Sequence, residues 1–134
     1  MALEKDLSLA NRLIAALPAP ERTAFLENCE LVELKLNDVL VLAGQPLDDA
    51  YFSLDSFVSV VLPADDAPNA QVAMVGNEGM FPTSLVLGVA TSAFTGKVQG
   101  AGRAFRIHRD ACQCRILEEA CWRGALSLYF DVGP

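Results

Sequence analysis

The chain has 134 residues, enough for one domain with a core of its own and no need of a disulfide or metal staple. Hydrophobic residues make up 52% and charged residues 20%, which excludes a disordered chain, and no apolar run reaches the roughly 18 residues that a membrane span requires. The net charge of −7 argues against nucleic acid as a direct partner, because phosphate contacts need clustered Lys and Arg.

The first dozen residues lack a signal peptide's order of basic start, apolar run and small-residue cleavage site, so a cytoplasmic location without membrane contact is expected. Leu9, Leu13 and Leu17 recur every four residues and predict a helix with one apolar face. Pro18 stops it. Pro20 and Glu21 suit the first turn of a second helix, which carries Ala24, Phe25 and Leu26 and fades near Asn28.

The period then shortens. Val32, Leu34 and Leu36 alternate with Glu33 and Lys35, which is strand spacing, and Asn37-Asp38 is a turn signal. A short apolar run over 39–42 precedes a turn at Ala43-Gly44-Gln45-Pro46. Strands are predicted over 51–54 and 57–62, separated by Asp55-Ser56, with a polar loop over 63–69 and a strand over 71–75. Gly76-Asn77-Glu78-Gly79 reads as a turn, and 80–88 is too short and too proline-marked for a long helix. Strands over 93–99 and 103–108 follow, and Gly100-Ala101-Gly102 between them reads as a hairpin turn. Short strands at this density, without intervening helices, predict an all-β sandwich or roll.

The end turns helical. Asp110 with Gln113 three residues later fits a capping box, and Leu117, Cys121, Leu128 and Val132 fall on one face that needs a partner surface. No repeat or linker divides the chain, so 1–134 is expected to be one domain.

Charge is uneven along this order. Residues 26–79 hold ten acids against one base, Lys35, while 97–123 hold six bases against three acids. The basic run reads as a solvated strand and helix face, with Arg103 and Arg106 as the side chains that could serve an anionic ligand.

Enzyme chemistry finds little to work with. His108 is the one histidine, and a single ligand does not make a metal site. Cys29, Cys112, Cys114 and Cys121 are scattered, and Cys112-x-Cys114 lacks the C-x-x-C spacing of a redox or zinc motif. A reducing compartment would keep all four as thiols. There is no G-x-S-x-G elbow, Walker loop or G-x-G-x-x-G. Asp65 and Asp66 occupy a loop where solvated aspartates are normal. The expectation is a protein that is not an enzyme and has no metal or certain cofactor.

Several stretches in order resemble the N-terminal sensory domain of Crp/Fnr-type transcription regulators. These are Asn11 to Pro18 with Glu21-Arg22, Val32-Glu33-Leu34 through Gly44-Gln45-Pro46, and Ala50-Tyr51-Phe52 followed by Val58-Ser59-Val60 as a hairpin. Val72 to Met80 with Leu85 to Gly88 resembles a variant of the family's less typical branches. The match spans residues 11–109. It implies a mainly β fold, a double-stranded β-roll (jelly roll) flanked by N-terminal helices and a C-terminal dimerisation helix beginning near 110. It also implies a homodimer through that helix, and a DNA-binding helix-turn-helix for which this chain holds no residues.

In such domains a cyclic phosphate is held by backbone N–H groups and an arginine, with a glutamate near the ribose. Here the Gly-Glu element aligns to Pro82-Thr83 and the Arg-Ser-Ala element to Thr91-Ser92-Ala93. Losing the arginine forfeits a charge-assisted hydrogen bond of about 1.5–3 kcal/mol. The candidate pocket is therefore Gly79, Met80, Pro82, Thr83, Thr91, Ser92 and Ala93, between that segment, the 91–94 turn and the dimer helix. Three readings stay open beside a jelly-roll enzyme. One is a sensory domain that takes a different small anionic or nucleotide-like ligand or none. Another is a genuine cyclic-nucleotide receptor holding phosphate through Ser92. The third is a ligand-free interaction module with a filled roll, which inward apolar residues along 72–75 and 94–98 would support.

Overall fold

Strands distant in sequence lie side by side in this protein. The computed structural model describes residues 9–62, 70–82, 85 and 89–111. Two short helices, α1 (Arg12–Ala15) and α2 (Ala19–Glu27), precede seven strands. These are β1 (Cys29–Leu34), β2 (Val39–Val41), β3 (Asp49–Ser53), β4 (Phe57–Leu62), β5 (Ala70–Val75), β6 (Thr95–Gly100) and β7 (Gly102–His108).

The strands form a three-stranded sheet of order β1-β7-β3 and a four-stranded sheet of order β2-β6-β4-β5. Every pairing is antiparallel. Among the described strands only β4 and β5 are both consecutive and paired. The first strand meets the last and the second meets the sixth, as expected for the β-roll.

Two expected hairpins are absent. Gly100-Ala101-Gly102 joins β6 in the larger sheet to β7 in the smaller one, so it is a crossover between sheets. Likewise β3 and β4 lie in different sheets, and Asp55-Ser56 carries the chain across. Turn residues mark where a strand ends, and partner choice is decided by the core.

Boundaries moved for local reasons. The helix read from Leu9, Leu13 and Leu17 is a single turn, capped by Asn11 and followed by Pro18. Leu13 and Leu17 are buried, whereas Leu9 is 54% exposed. The first strand begins at Cys29 and stops at Leu34. Leu36 continues the alternation in sequence yet is 57% exposed, because the Asp38 carboxylate accepts from the Lys35 N–H (3.0 Å) and Asn37 turns with φ 73°. A helical turn takes in residues 109–111, and the His108 ring accepts from the Asp110 N–H (3.3 Å). His108 is thus the cap, and Asp110 lies inside the turn. Thr83, Cys112, Gln113, Cys114, Asp65, Asp66 and the stripe from Leu117 through Cys121 and Leu128 to Val132 lie outside the described residues.

The main core joins Leu13, Ile14, Leu17 and Phe25 of the helical region to Phe52, Phe105 and Ile107 of the small sheet and Val58, Val60 and Val75 of the large one. The rings of Phe25 and Phe52 meet edge to face at 5.1 Å, which fastens α2 to the roll. Leu34, Val98 and Ala104 form a smaller cluster.

The two crossovers are tied to each other. The Arg103 carbonyl accepts from the Leu54 N–H (2.9 Å) and the Ser56 hydroxyl (3.0 Å). In return the Arg103 N–H donates to one Asp55 oxygen (2.6 Å) and its guanidinium holds the other (2.8 and 3.2 Å). Gly102 fits beside them because a Cβ there would sit 2.6 Å from the Asp55 carbonyl oxygen.

The side-chain and backbone hydrogen bonds from Arg103 hold the Asp55 carboxyl below the usual carboxylate range. A lowered folded-state value means that Asp55 adds stability above the ordinary carboxylate range, and that this is lost as pH falls through the lowered value. Asp55 is half exposed, so solvent screening keeps the effect small. Asp55→Asn is expected to lower stability at neutral pH by about 1 kcal/mol in urea melts. The deficit relative to the unsubstituted protein should close in acid.

Candidate functional site

The candidate pocket falls on two segments that follow β5 and precede β6. The first starts at the turn after β5, where the Glu78 carboxylate accepts from the Gly76 N–H (3.0 Å) and the Gly79 N–H donates to the Gly76 carbonyl (3.3 Å). Met80 is fully buried, and Phe81 pairs with Tyr51 of β3 through two backbone hydrogen bonds of 2.7 and 2.9 Å. Pro82 is buried and joined to Phe81 by a cis peptide bond. Leu85 is fully buried, with its N–H on the Pro82 carbonyl (3.2 Å). Met80, Phe81 and Leu85 all belong to the main core. These side chains lie in the interior of the roll.

The second segment is the turn into β6. The Ser92 hydroxyl donates to the Phe94 carbonyl (2.5 Å) and accepts from the Phe94 N–H (3.1 Å). The Ser92 N–H donates to the Gln45 carbonyl (2.9 Å), and the Ser92 carbonyl accepts from the Gly44 N–H (2.6 Å). Ser92 is therefore buried and engaged on all sides. Thr91 and Ala93 flank it on the surface. Phe94 packs against the core cluster that includes Met80 and Phe81.

The arginines face elsewhere. Arg103 is bound by Asp55 at the crossover. Arg106 donates to Glu30 of β1, and its proton is held more tightly than usual, first by that carboxylate. The Tyr51 phenol lies beside Arg106, and burial raises its pKa. Neither guanidinium serves the 79–94 region, contrary to the role considered for an anionic ligand. Among the described residues, no three His, Cys, Asp or Glu side chains converge as a metal ion would require. Burial pushes the Cys29 thiol up to about 12, so it is neutral and unreactive at physiological pH.

A cleft of about 210 Å³ lies on the surface between Leu40, Gln45, Leu47, Tyr51, Asp48 and Asp49. Its carboxylates make it a poor home for a phosphate.

Two residues carry more of this arrangement than their sequence context reveals. Asn11 is fully buried and its carboxamide reaches the carbonyl oxygens of Ser53 and Gly79, both at 2.9 Å. An Asn just before an apolar run is a readable helix cap, but its long-range bonds are not. Gly96 in β6 lies under the Phe81 ring, where a Cβ would come within 2.3 Å of two ring carbons. An isolated glycine inside a strand pattern is the available signal for such a close approach.

Comparison with known proteins places this geometry. The sequence matches no protein-family model, and no curated protein matches it. The structure is similar to the sensor domain of the transcriptional regulator DNR from Pseudomonas aeruginosa, with TM-score 0.76 and 14% identity over 98% of this chain and 88% of that one. It spans 60% of the intact DNR chain. The N-terminal domain of a transcriptional regulator from Streptomyces coelicolor gives TM-score 0.72 and 16% identity, covering 92% of this chain and 90% of that one. The regulatory domain of Toxoplasma gondii PKA, solved with cAMP, gives TM-score 0.70 and 17% identity, covering 82% of this chain and 43% of that one. The fold is that of the cyclic-nucleotide-binding-like domains, in agreement with the resemblance to Crp/Fnr-type sensory domains. No helix among the described residues is long and apolar enough to cross a membrane.

The Phe81 ring is buried, so it cannot swing away from a new methyl group at Gly96 without disturbing Met80 or β3. Gly96→Ala is expected to destabilise by about 1–3 kcal/mol in urea melts. Adding Phe81→Leu to that variant should recover part of the loss, a coupling that a double-mutant cycle reads directly. Strictly additive effects would show that the ring and the glycine are independent.

Proposed function

We propose that this chain is a regulatory sensor domain of the cyclic-nucleotide-binding fold whose pocket does not grip a cyclic phosphate. The observation that carries this reading is the closed turn at Ser92. An anion needs oriented N–H dipoles and a guanidinium. In this turn the Ser92 N–H and hydroxyl and the Phe94 N–H are all spent on protein carbonyls and on one another. Thr91, aligned with the family's arginine, is neutral and exposed. A phosphate that took up those donors would first break these bonds, and no new charge would compensate.

The core supports the same reading from the other side. Met80, Phe81 and Leu85 occupy the interior of the roll. The ligand, where there is one, is small and recognised by apolar contact and shape more than by charge, or the domain acts through packing alone. The sensory role would extend over residues 1–134 as one unit. It would act in the cytoplasm as a homodimer through the helix expected from about residue 110. Contact with DNA would belong to a separate domain and not to these residues, whose net charge of −7 opposes it.

Calorimetric titration of the 134-residue chain with cyclic AMP and cyclic GMP is expected to give no binding heat at millimolar ligand. Saturable binding with micromolar affinity would overturn the reading and restore a genuine cyclic-nucleotide receptor.

A further inference from the structure

Two marginal elements meet at Asn11. Helix α1 has only four residues, far too few to hold its shape in water alone. Residues 79–82 form neither strand nor helix beyond the bridge between Phe81 and Tyr51. The Asn11 carboxamide serves both at once. Its oxygen accepts from the N–H groups of Leu13 (3.0 Å) and Ile14 (3.2 Å), and its nitrogen donates to the carbonyls of Gly79 and Ser53, both at 2.9 Å. One residue on, the Arg12 N–H donates to the Asn77 carbonyl (2.8 Å). Leu13, Ile14 and Leu17 share their core with Met80 and Leu85.

The four bonds fill the capacity of a primary carboxamide. If α1 unwinds, Asn11 withdraws and two buried carbonyl oxygens lose their donor. If 79–82 lifts away, the buried amide nitrogen loses an acceptor. Either movement alone strands a buried polar group, which is more costly than losing an exposed hydrogen bond. The strand ladders of the two sheets do not depend on these four bonds.

We propose that Asn11 is a latch that makes α1 and residues 76–82 a single opening unit, which detaches from the roll before the sheets come apart. Anything that orders residues 79–82 then orders α1 as well. The latch is independent of whether the pocket takes a ligand, so failure of the proposed function leaves it standing.

Asn11→Asp separates the two duties of the side chain. The carboxylate still accepts from Leu13 and Ile14, and it can no longer donate to Gly79 or Ser53. Amide hydrogen exchange on the full chain at neutral pH is expected to speed up by roughly tenfold or more at Arg12 and Phe81. Exchange in the β4–β6 ladder should stay unchanged. Unchanged exchange at Phe81, or equal acceleration throughout the sheets, would overturn the latch. The unsubstituted protein offers a check that does not depend on the variant folding. With rising sub-denaturing urea, the amides of Arg12 and Phe81 are expected to converge on one opening curve below that of the β4–β6 ladder. Separate curves for Arg12 and Phe81, or convergence of both with the ladder, contradict the proposal.

Discussion

The roll depends on two crossovers turning at the same place. Its sheets pair β1 with β7 and β2 with β6, so no local hairpin can set their register. The described strands cross between the sheets four times, and two of those crossings, at Leu54–Ser56 and Ala101–Arg103, meet at one corner. Arg103 joins the two crossings, donating from its backbone and guanidinium to Asp55 and accepting at its carbonyl from Leu54 and Ser56. β7 leaves that corner as the central strand of the small sheet, with Phe105 between Leu31 and Phe52. β3 runs into that corner antiparallel to β7, and its Tyr51 pairs with Phe81. The candidate segment is thus paired to a strand that ends at this junction.

Much of the architecture could be read in advance. The strand over Phe57–Leu62, the breaks at Asn37 and Gly76, and the density of short strands all survive in the structure. These features follow from periods and turn chemistry, which are local. The errors share the opposite character. Gly100 and Gly102 announce a change of direction in any setting, and only the core decides whether the next strand pairs with its predecessor. Leu36 keeps the strand alternation, yet Asp38 bends the chain before it. Asn11 caps α1 in the structure, and its bonds to Ser53 and Gly79 reach 42 and 68 residues along the chain. No pattern within a sequence window contains such partners.

The site shows the same division. On the Crp/Fnr resemblance, neutral Thr91 and Thr83 stand where an arginine and an acid would be expected, which the sequence alone suggests. That Ser92 is consumed by its own turn is not visible there, because a serine after a threonine can as well present its hydroxyl to a ligand. The structure adds a second consideration to the proposal: besides the neutral Thr91, the Ser92 hydroxyl and N–H and the Phe94 N–H already bond within the protein. A fold shared with domains that bind cyclic nucleotides carries no ligand with it, since function resides in the site.

The amides of Ser92, Ala93 and Phe94 report on this claim most directly. In a heteronuclear NMR titration with cyclic AMP, the account predicts that their resonances stay in place up to millimolar ligand. Saturable shifts at these three amides would show that the turn opens to receive a phosphate, and would contradict it.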